Sequence, residues 1–234
     1  NIKIKKNQIY GLIGPNGAGK TTAFNMITGV YTPTEGEIYF DGEKSSGKKS
    51  YQVTQMGMAR TFQNIRLFSE LSVIDNVKIA YNMHVSYGLA SAIFRNGKYL
   101  SEEEMITQKA LELLKIFHLE DKAYEQAKNL PYGEQRRLEI ARALATEPKL
   151  LLLDEPAAGM NPQETKELME MIRWIRDKFD LSILLIEHDM GLVMGVCERI
   201  YVLEYGCLIA EGTPDEIKNN KRVIEAYLGE EVIN

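Results

Sequence analysis

Residues 14–22 form the segment Gly14-Pro15-Asn16-Gly17-Ala18-Gly19-Lys20-Thr21-Thr22, and the first six of them are too rich in glycine to form a regular helix or strand. The residues before it, from Gln8 to Ile13, predict a strand, and those from Lys20 to about Thr28 predict a helix. The spacing Gly-x-x-x-x-Gly-Lys-Thr is that of a phosphate-binding loop, which lies between a strand and a helix. Because glycines let backbone amides approach a polyphosphate and a helix start adds positive potential, this segment predicts a polyphosphate site.

The side chains at the end of this loop predict how a nucleotide and its metal are held. Lys20 is expected to reach the β- and γ-phosphates, and the hydroxyl of Thr21 is expected to bind Mg²⁺. A glycine-rich turn in an unrelated fold is the alternative, but the lysine, the threonine and both flanking elements favour phosphate binding. All nine residues from Gly14 to Thr22 are therefore candidate ATP-binding residues.

A second motif is an apolar strand that ends in two carboxylates, Leu150-Leu151-Leu152-Leu153-Asp154-Glu155. Ligands of open α/β sheets bind at the carboxyl ends of the strands. Asp154 suits Mg²⁺, a hard ion that prefers oxygen ligands, and Glu155 is then available to orient and deprotonate a water molecule. Alone, an Asp-Glu pair after a strand is more often a helix cap. Beside a phosphate-binding loop, we favour catalysis.

Strand and helix patterns alternate along most of the chain, which indicates an α/β protein with a mainly parallel sheet. Further strands are predicted at residues 37–40, 149–153, 182–186 and 200–203, and a hairpin over Gly206 predicts a small antiparallel part. Asn1 to Lys5 alternates like a strand that turns at Lys6-Asn7. We also expect an N-terminal strand that belongs before Asn1 and is missing from this sequence.

A helical block interrupts this alternation. Between about Leu71 and Lys128 the apolar residues recur at helical spacing, and Ser101-Glu102-Glu103-Glu104 has the form of a capping box that begins a helix. We therefore expect one domain over residues 1–234. Its catalytic core is predicted at residues 1–69 and 136–234, and residues 70–135 are predicted to form an inserted α-helical subdomain.

Composition excludes several classes of protein. The 28 basic and 33 acidic side chains give a net charge of −5, which argues against nucleic acid as the main partner. No apolar run is long enough to cross a bilayer, and no signal peptide is present. Cys197 and Cys207 lack the neighbours of a metal site or disulfide framework, so we expect two reduced core thiols in a cytosolic protein.

Together with three further segments, these two motifs resemble the ATP-binding subunits of ABC transporters. Leu130-Pro131-Tyr132-Gly133-Glu134-Gln135-Arg136-Arg137 is similar to the signature segment, usually LSGGQ, and Gln63 and His188 resemble the Q-loop glutamine and the switch histidine. Five motifs in this order cover nearly the whole chain. The resemblance implies a P-loop NTPase core and catalytic roles for Glu155, His188 and Gln63, with Gln63 also binding Mg²⁺.

The resemblance also implies a head-to-tail dimer. In that family the signature segment of one chain faces the ATP held by a second chain, so Tyr132, Gly133 and Glu134 are expected to contact the ATP of the partner. Pro131 stands where the family has serine, and Asn161 where many relatives have aspartate. Because a neutral hydrogen bond contributes about 0.5–1.5 kcal/mol, we expect only a modest weakening of nucleotide-driven pairing.

Within that family, the segments 60–68, 132–139, 157–162 and 223–229 resemble the longer ATPase subunit of branched-chain amino-acid importers. That implies a second ATPase subunit, membrane permease subunits and, indirectly, a periplasmic or extracellular amino-acid-binding protein as partners, with no nucleic acid. It implies a place at the cytoplasmic face of the cell membrane. Alternatives are a lipopolysaccharide-export ATPase, a soluble ABC ATPase outside transport, and a binding-only domain. A GTPase is disfavoured because no Asn-Lys-x-Asp motif is present.

Overall fold

The computed structural model describes residues 1–231, so residues 232–234 of the predicted domain lie outside the described residues. The strands are β1 (Ile9–Ile13), β2 (Tyr39–Phe40), β3 (Glu43–Lys44), β4 (Met58–Arg60), β5 (Leu150–Asp154), β6 (Ser182–Ile186), β7 (Arg199–Glu204) and β8 (Cys207–Gly212). The main sheet has the order β4-β5-β6-β1-β7-β8. All its neighbours pair in parallel except β7 and β8, which are antiparallel. The predicted α/β fold with a small antiparallel part is confirmed.

The helices are α1 (Lys20–Ile27), α2 (Ser50–Gln55), α3 (Val73–Tyr81), α4 (Leu89–Phe94), α5 (Gly97–Ile116), α6 (Tyr132–Leu144), α7 (Pro162–Phe179), α8 (Met190–Val196), α9 (Pro214–Lys218) and α10 (Lys221–Glu231). Short 3₁₀ turns lie at residues 82–84, 120–122 and 127–129. Among the described helices, none combines the length and the apolar character that a membrane span requires.

The chain forms two compact units. Among the described residues, the core unit contains residues 1–63 and 149–231, and the helical unit contains residues 64–148. The division differs from the predicted boundaries after residues 69 and 135. A boundary at 135 would cut the continuous helix α6. At the other end, the buried amide of Asn76 on α3 bonds both the N–H and the carbonyl of Phe68, at 2.9 and 3.1 Å, which holds this segment in the helical unit.

The central strands of the main sheet are buried along their whole length. All five residues of β1, β5 and β6 are buried, and most of them are aliphatic. Parallel strands that are covered on both faces have such continuous apolar sequences. Burying one large apolar side chain contributes about 1.5–3 kcal/mol, so this core fixes the carboxyl ends of the strands, where the predicted site residues lie.

Two predicted strands differ in the structure. Residues 1–5 form no strand, because Lys3 exchanges hydrogen bonds with the hydroxyl of Tyr201 on β7 instead of pairing with a neighbouring strand. The turn at Lys6-Asn7 is present, and Asn7 has a φ of 60°. The strand predicted at 37–40 shortens to β2, which forms a small hairpin with β3.

The predicted start of the long helix in the helical unit was wrong. Helix α5 begins at Gly97, and the side chain of Asn96 accepts a hydrogen bond from the Tyr99 N–H at 3.1 Å. Asn96 is therefore the N-cap of α5. Ser101 lies one turn inside the helix, where its hydroxyl donates to the Lys98 carbonyl. Both sites offer a capping residue, and the earlier one begins the helix.

Candidate active site

The predicted phosphate-binding loop connects β1 to α1. Gly14 and Gly19 have φ values of 150° and 98°, a region that favours glycine. A Cβ at Gly14 would lie 2.1 Å from the carbonyl oxygen of Leu203 on β7, so no other residue fits there without moving β7. The amide of Gly206, in the turn after β7, donates to the Ala18 carbonyl at 2.9 Å. The loop is therefore held by the β7–β8 hairpin.

Lys20 is the first residue of α1, and its side chain is turned into the loop. Its Nζ donates to the carbonyls of Gly14 and Pro15, at 2.7 and 2.9 Å, and the residue is buried. Thr21 and Thr22 follow in the first turn and are exposed, as are Asn16 and Gly17 in the loop. A positive charge, exposed backbone and a helix start without an acidic side chain in its first turn are thus combined, which suits an anion.

The three predicted catalytic residues meet at the carboxyl ends of two neighbouring strands. Glu155 follows β5, and its Oε1 lies 2.9 Å from Nε2 of His188, which follows β6. The amide of Gln63 donates to the other oxygen, Oε2, at 2.7 Å. An ionised carboxylate only accepts hydrogen bonds, so the His188 tautomer with a proton on Nε2 fits this contact. The pair of partners holds the carboxylate in one orientation.

The backbone at Glu155 has a left-handed conformation, with a φ of 46°. Its N–H donates to the Ile186 carbonyl at 2.9 Å, which fixes the turn after β5 against the end of β6. Non-glycine residues in this region cost about 1–3 kcal/mol and cluster at functional sites, where surrounding contacts maintain them. The left-handed backbone at Glu155 is therefore consistent with a functional role for the position of this carboxylate.

Asp154, the predicted Mg²⁺ ligand, is 4% exposed and forms an ion pair inside the core unit. Its Oδ2 accepts from the Arg60 guanidinium at 2.6 Å. The predicted metal ligands Thr21, Gln63 and Asp154 supply a hydroxyl, an amide oxygen and a carboxylate, the oxygen donors that Mg²⁺ takes together with phosphate oxygens. Within residues 1–231, no cluster of three or more His, Cys, Asp or Glu side chains could hold a metal ion. The predicted set is of a different kind, because Asp154 is its only member of those four residue types. The donor set fits Mg²⁺.

Two polar residues at this site were missed from sequence. Arg60 is the last residue of β4. The sequence signal that could have identified it is a charged residue directly after the apolar pair Met58-Ala59. Glu187 lies between β6 and His188 and is 5% exposed. Its Oε1 accepts from the Ala157 N–H at 2.7 Å, and its Oε2 accepts from the N–H groups of His188 and Asp189, at 2.9 and 3.2 Å. Glu187 thus joins the segment after Glu155 to the segment that carries His188.

The signature-like segment begins α6 in the helical unit, with Pro131 as the residue before the helix. The hydroxyl of Tyr132 accepts from Arg136 at 3.2 Å, and the buried Arg136 forms an ion pair with Glu139 at 2.9 Å. Glu139 also accepts from the Arg66 N–H at 3.2 Å. Tyr132 therefore anchors the segment through a buried network, which a glycine at this position could not do.

The other two predicted contacts to the partner's ATP are in the first turn of α6. Gly133 contributes backbone to that turn, and Glu134 is paired with Lys122 at 2.7 Å. A lone carboxylate would repel a phosphate, and Lys122 compensates its charge. In the core unit, Asn161 caps α7 by accepting from the N–H groups of Gln163 and Glu164.

Comparisons with known proteins show the family to which this chain is similar. A family model described as "ABC transporter" matches residues 1–158, and one described as "Branched-chain amino acid ATP-binding cassette transporter" matches residues 207–233. The high-affinity branched-chain amino acid transport ATP-binding protein LivG of Escherichia coli strain K12 is 48% identical over 98% of this chain and 90% of LivG.

Two solved structures are similar over most of their length. The ADP conformation of MJ1267, an ATP-binding cassette of an ABC transporter, has a TM-score of 0.82 and 30% identity, over 97% of this chain and 90% of that one. The dimeric structure of MJ0796, a bacterial ABC transporter cassette, has a TM-score of 0.76 and 27% identity, over 92% and 88%. Because the family model matches residues 1–158 and the similarity to LivG extends over 98% of the chain, this chain belongs to the ABC transporter family and is one of its ATP-binding domains.

Proposed function

We propose that this protein hydrolyses ATP to ADP and phosphate to drive branched-chain amino-acid import through partner permeases. The observation that carries the enzymatic part is the Glu155 carboxylate, which Gln63 and His188 hold at the carboxyl edge of the sheet. In the strand order β5-β6-β1, the single strand β6 separates the strand before this carboxylate from the strand before the phosphate-binding loop. A general base with the polar partners that hold it, and an anion-binding loop, therefore lie at the same edge of the sheet. Hydrolysis of a phosphoanhydride depends on such positioning and charge.

In the proposed mechanism, the loop from Gly14 to Thr22 binds the phosphates through its amides and through the ammonium of Lys20. Lys20 would exchange its bonds to the loop carbonyls for bonds to phosphate oxygens. Glu155 orients a water molecule and takes its proton as the oxygen attacks the γ-phosphorus, while the bond from that phosphorus to the β–γ bridging oxygen breaks and ADP leaves. His188 donates to Oε1 of Glu155 and so holds the carboxylate in the orientation that accepts the proton.

Asp154, Thr21 and Gln63 would hold Mg²⁺, which neutralises charge on the phosphate oxygens when it is bound. Gln63 also lies where the chain passes between the two units: it is the last residue of this segment of the core unit, and the helical unit begins at Asn64. A change in the bond between Gln63 and Glu155 would therefore act on the connection between the units. We propose that this connection transmits the state of the nucleotide toward the permease.

We further propose that two ATPase chains act together, with Tyr132, Gly133 and Glu134 of one chain contacting the ATP of the other. The dimeric structure of the similar cassette MJ0796 supports pairing. The first turn of α6 offers backbone N–H groups to an anion, and Tyr132 is 47% exposed and so accessible to a partner. The second chain is either another copy or a sister ATPase subunit.

The proposed cargo is a branched-chain amino acid. The name of LivG and the match of residues 207–233 to the branched-chain amino-acid model support this substrate. Such a subunit would lie at the cytoplasmic face of the cell membrane, bound to permease subunits, and an amino-acid-binding protein outside the membrane would deliver the cargo to them. Lipopolysaccharide export is the alternative transport process.

One experiment tests the enzymatic and transport parts separately. The chain is co-expressed with candidate permease and sister subunits in vesicles, and the candidate amino-acid-binding protein is added outside. Uptake of labelled leucine, isoleucine and valine is then measured with ATP inside. We expect ATP-dependent uptake that Glu155→Gln abolishes. ATP hydrolysis without uptake of any of the three would reject the cargo and keep the ATPase. Absence of hydrolysis in the assembled complex would reject the ATPase itself.

A further inference from the structure

We propose that Arg60 is a positioning residue for the metal site: it fixes the carboxylate of Asp154 by its Oδ2 and leaves Oδ1 to bind Mg²⁺. This inference rests on the proposed function, because the metal is the one that accompanies ATP. Arg60 does not touch nucleotide or metal in the proposal. It acts through Asp154.

The first support is that Arg60 joins three elements that carry site residues. Its guanidinium pairs with Asp154 at the end of β5, at 2.6 Å. It also donates to the side chain of Asn25 on α1, at 2.7 Å, and to that of Thr28, the residue after α1, at 3.3 Å. Arg60 itself stands three residues before Gln63. One side chain thus connects the helix that begins at Lys20, the metal carboxylate and the strand that leads to Gln63.

The second support is the degree to which the guanidinium is confined. Its side chain is 7% exposed, and that of Asp154 is 5% exposed. The rings of Phe24 and Phe62 lie with their centroids 5.4 and 5.2 Å from the guanidinium carbon. Aromatic faces and a forked donor are features that arginine uses and lysine cannot reproduce. The position of Asp154 is therefore set by a side chain that is itself held on several sides.

Two other interpretations compete with this proposal. Arg60 could be a structural ion pair, in which case its loss would lower stability without changing metal affinity in the folded protein. Alternatively, its positive charge could oppose a divalent cation, and its removal would then strengthen metal binding. Positioning predicts the opposite sign, since a released carboxylate loses its fixed orientation. The direction of the change in metal affinity therefore separates these interpretations.

The test uses the purified full chain saturated with ADP and titrated with Mn²⁺, which replaces Mg²⁺ and is followed by electron paramagnetic resonance. ADP affinity is measured separately in EDTA. The variants are Arg60→Met, Arg60→Lys, Asp154→Asn and the double variant Arg60→Met/Asp154→Asn. Mutation of a partner that orients a metal ligand typically lowers metal affinity by about 10- to 100-fold. We expect that loss for Arg60→Met, a smaller one for Arg60→Lys, and unchanged ADP affinity in EDTA.

The double variant tests whether Arg60 acts through Asp154. If it does, Arg60→Met adds no further loss of Mn²⁺ affinity once Asp154 is asparagine. Mn²⁺ affinity in Arg60→Met that is equal to or higher than that of the unmutated chain overturns the inference. Failure of the unmutated chain to bind ADP and Mn²⁺ instead rejects the proposed function.

A second pair of variants covers the case in which Arg60→Met does not fold. Asn25→Ala and Thr28→Val each remove one hydrogen bond from Arg60 to α1 or its C-cap, and leave the ion pair of Arg60 with Asp154 in place. We expect each to lower Mn²⁺ affinity less than Arg60→Met would, and in the same direction. Unchanged Mn²⁺ affinity in both folded variants overturns the inference.

Discussion

Nε2 of His188 lies 2.9 Å from Oε1 of Glu155, although the two residues are 33 positions apart in the chain. They meet because β5 and β6 are parallel neighbours, with Asp154 opposite Ile186, so the residues that follow both strands emerge at the same edge. The contact leaves Glu155 with a partner on each oxygen, since Gln63 donates to the other one. A carboxylate held in this way has a defined direction for accepting a proton.

Replacing Glu155 with Gln is expected to stop turnover while ATP still binds. The amide keeps the shape of the side chain but cannot take a proton from water, and general-base catalysis contributes about 10²–10⁴-fold. The measurement is steady-state phosphate release together with ATP binding in the same preparation. Glu170→Gln, an exposed change of the same kind on α7, is the control and should hydrolyse ATP normally. Undiminished hydrolysis by Glu155→Gln would remove Glu155 from the mechanism.

His188→Ala is expected to lower kcat with little change in the KM for ATP, because His188 contacts the Glu155 carboxylate. Residues that act as one unit have non-additive effects on rate. The variant Glu155→Gln/His188→Ala should therefore be no slower than Glu155→Gln alone. Steady-state phosphate release is measured for His188→Ala, Glu155→Gln and the double variant. A further loss in the double variant would mean that His188 acts independently of Glu155.

Glu187→Ala is expected to destabilise the core unit as well as slow hydrolysis. The buried carboxylate accepts from the N–H groups of Ala157, His188 and Asp189, and its loss leaves them without this acceptor. Buried donors that lose a partner cost about 1–3 kcal/mol of unfolding free energy. Urea unfolding followed by circular dichroism measures the change.

Two variants make the test of Glu187 specific. Glu187→Gln keeps one acceptor oxygen and should lose less stability than Glu187→Ala. Glu211→Ala breaks an exposed ion pair with Arg199, formed at 3.0 Å, and should cost only about 0–1 kcal/mol. Equal losses for Glu187→Ala and Glu211→Ala would contradict the proposed hydrogen-bonding role of Glu187.

The network behind the signature-like segment gives a graded series of stabilities in the helical unit. Arg136→Met leaves the buried Glu139 without its ion-pair partner, and breaking such a pair costs about 3–5 kcal/mol. Tyr132→Phe removes only the bond at 3.2 Å and should cost about 0.5–1.5 kcal/mol. Urea unfolding of both variants orders the two effects. A larger loss for Tyr132→Phe than for Arg136→Met would contradict this network.

Motif order gave the roles of Gln63, Glu155 and His188, and the sequence predicted the strands that precede Glu155 and His188. The strand before Gln63, β4, was not predicted, because only three of its residues pair with β5. The bond between Arg60 and Asp154 could not be predicted, since it joins residues 94 positions apart and no local pattern identifies a partner at that distance.

Local competition explains another miss. Asn96 and Ser101 both offer a capping group, and the structure uses Asn96, which accepts from the Tyr99 N–H. Glu102, part of the predicted capping box, instead accepts from the N–H of Ser86, 16 residues earlier.

The two cysteines are expected to differ sharply in reactivity, against the prediction that both are core thiols. Cys197 is buried, and burial raises the pKa of its thiol, so little reactive thiolate forms near neutral pH. Cys207 is exposed at the start of β8. Titration with a thiol-reactive dye at pH 8 should label one thiol in the native protein and two in denaturant. Cys207→Ser should abolish the native signal. Native labelling that persists in Cys207→Ser would show that Cys197 is accessible and that the packing around it opens in solution.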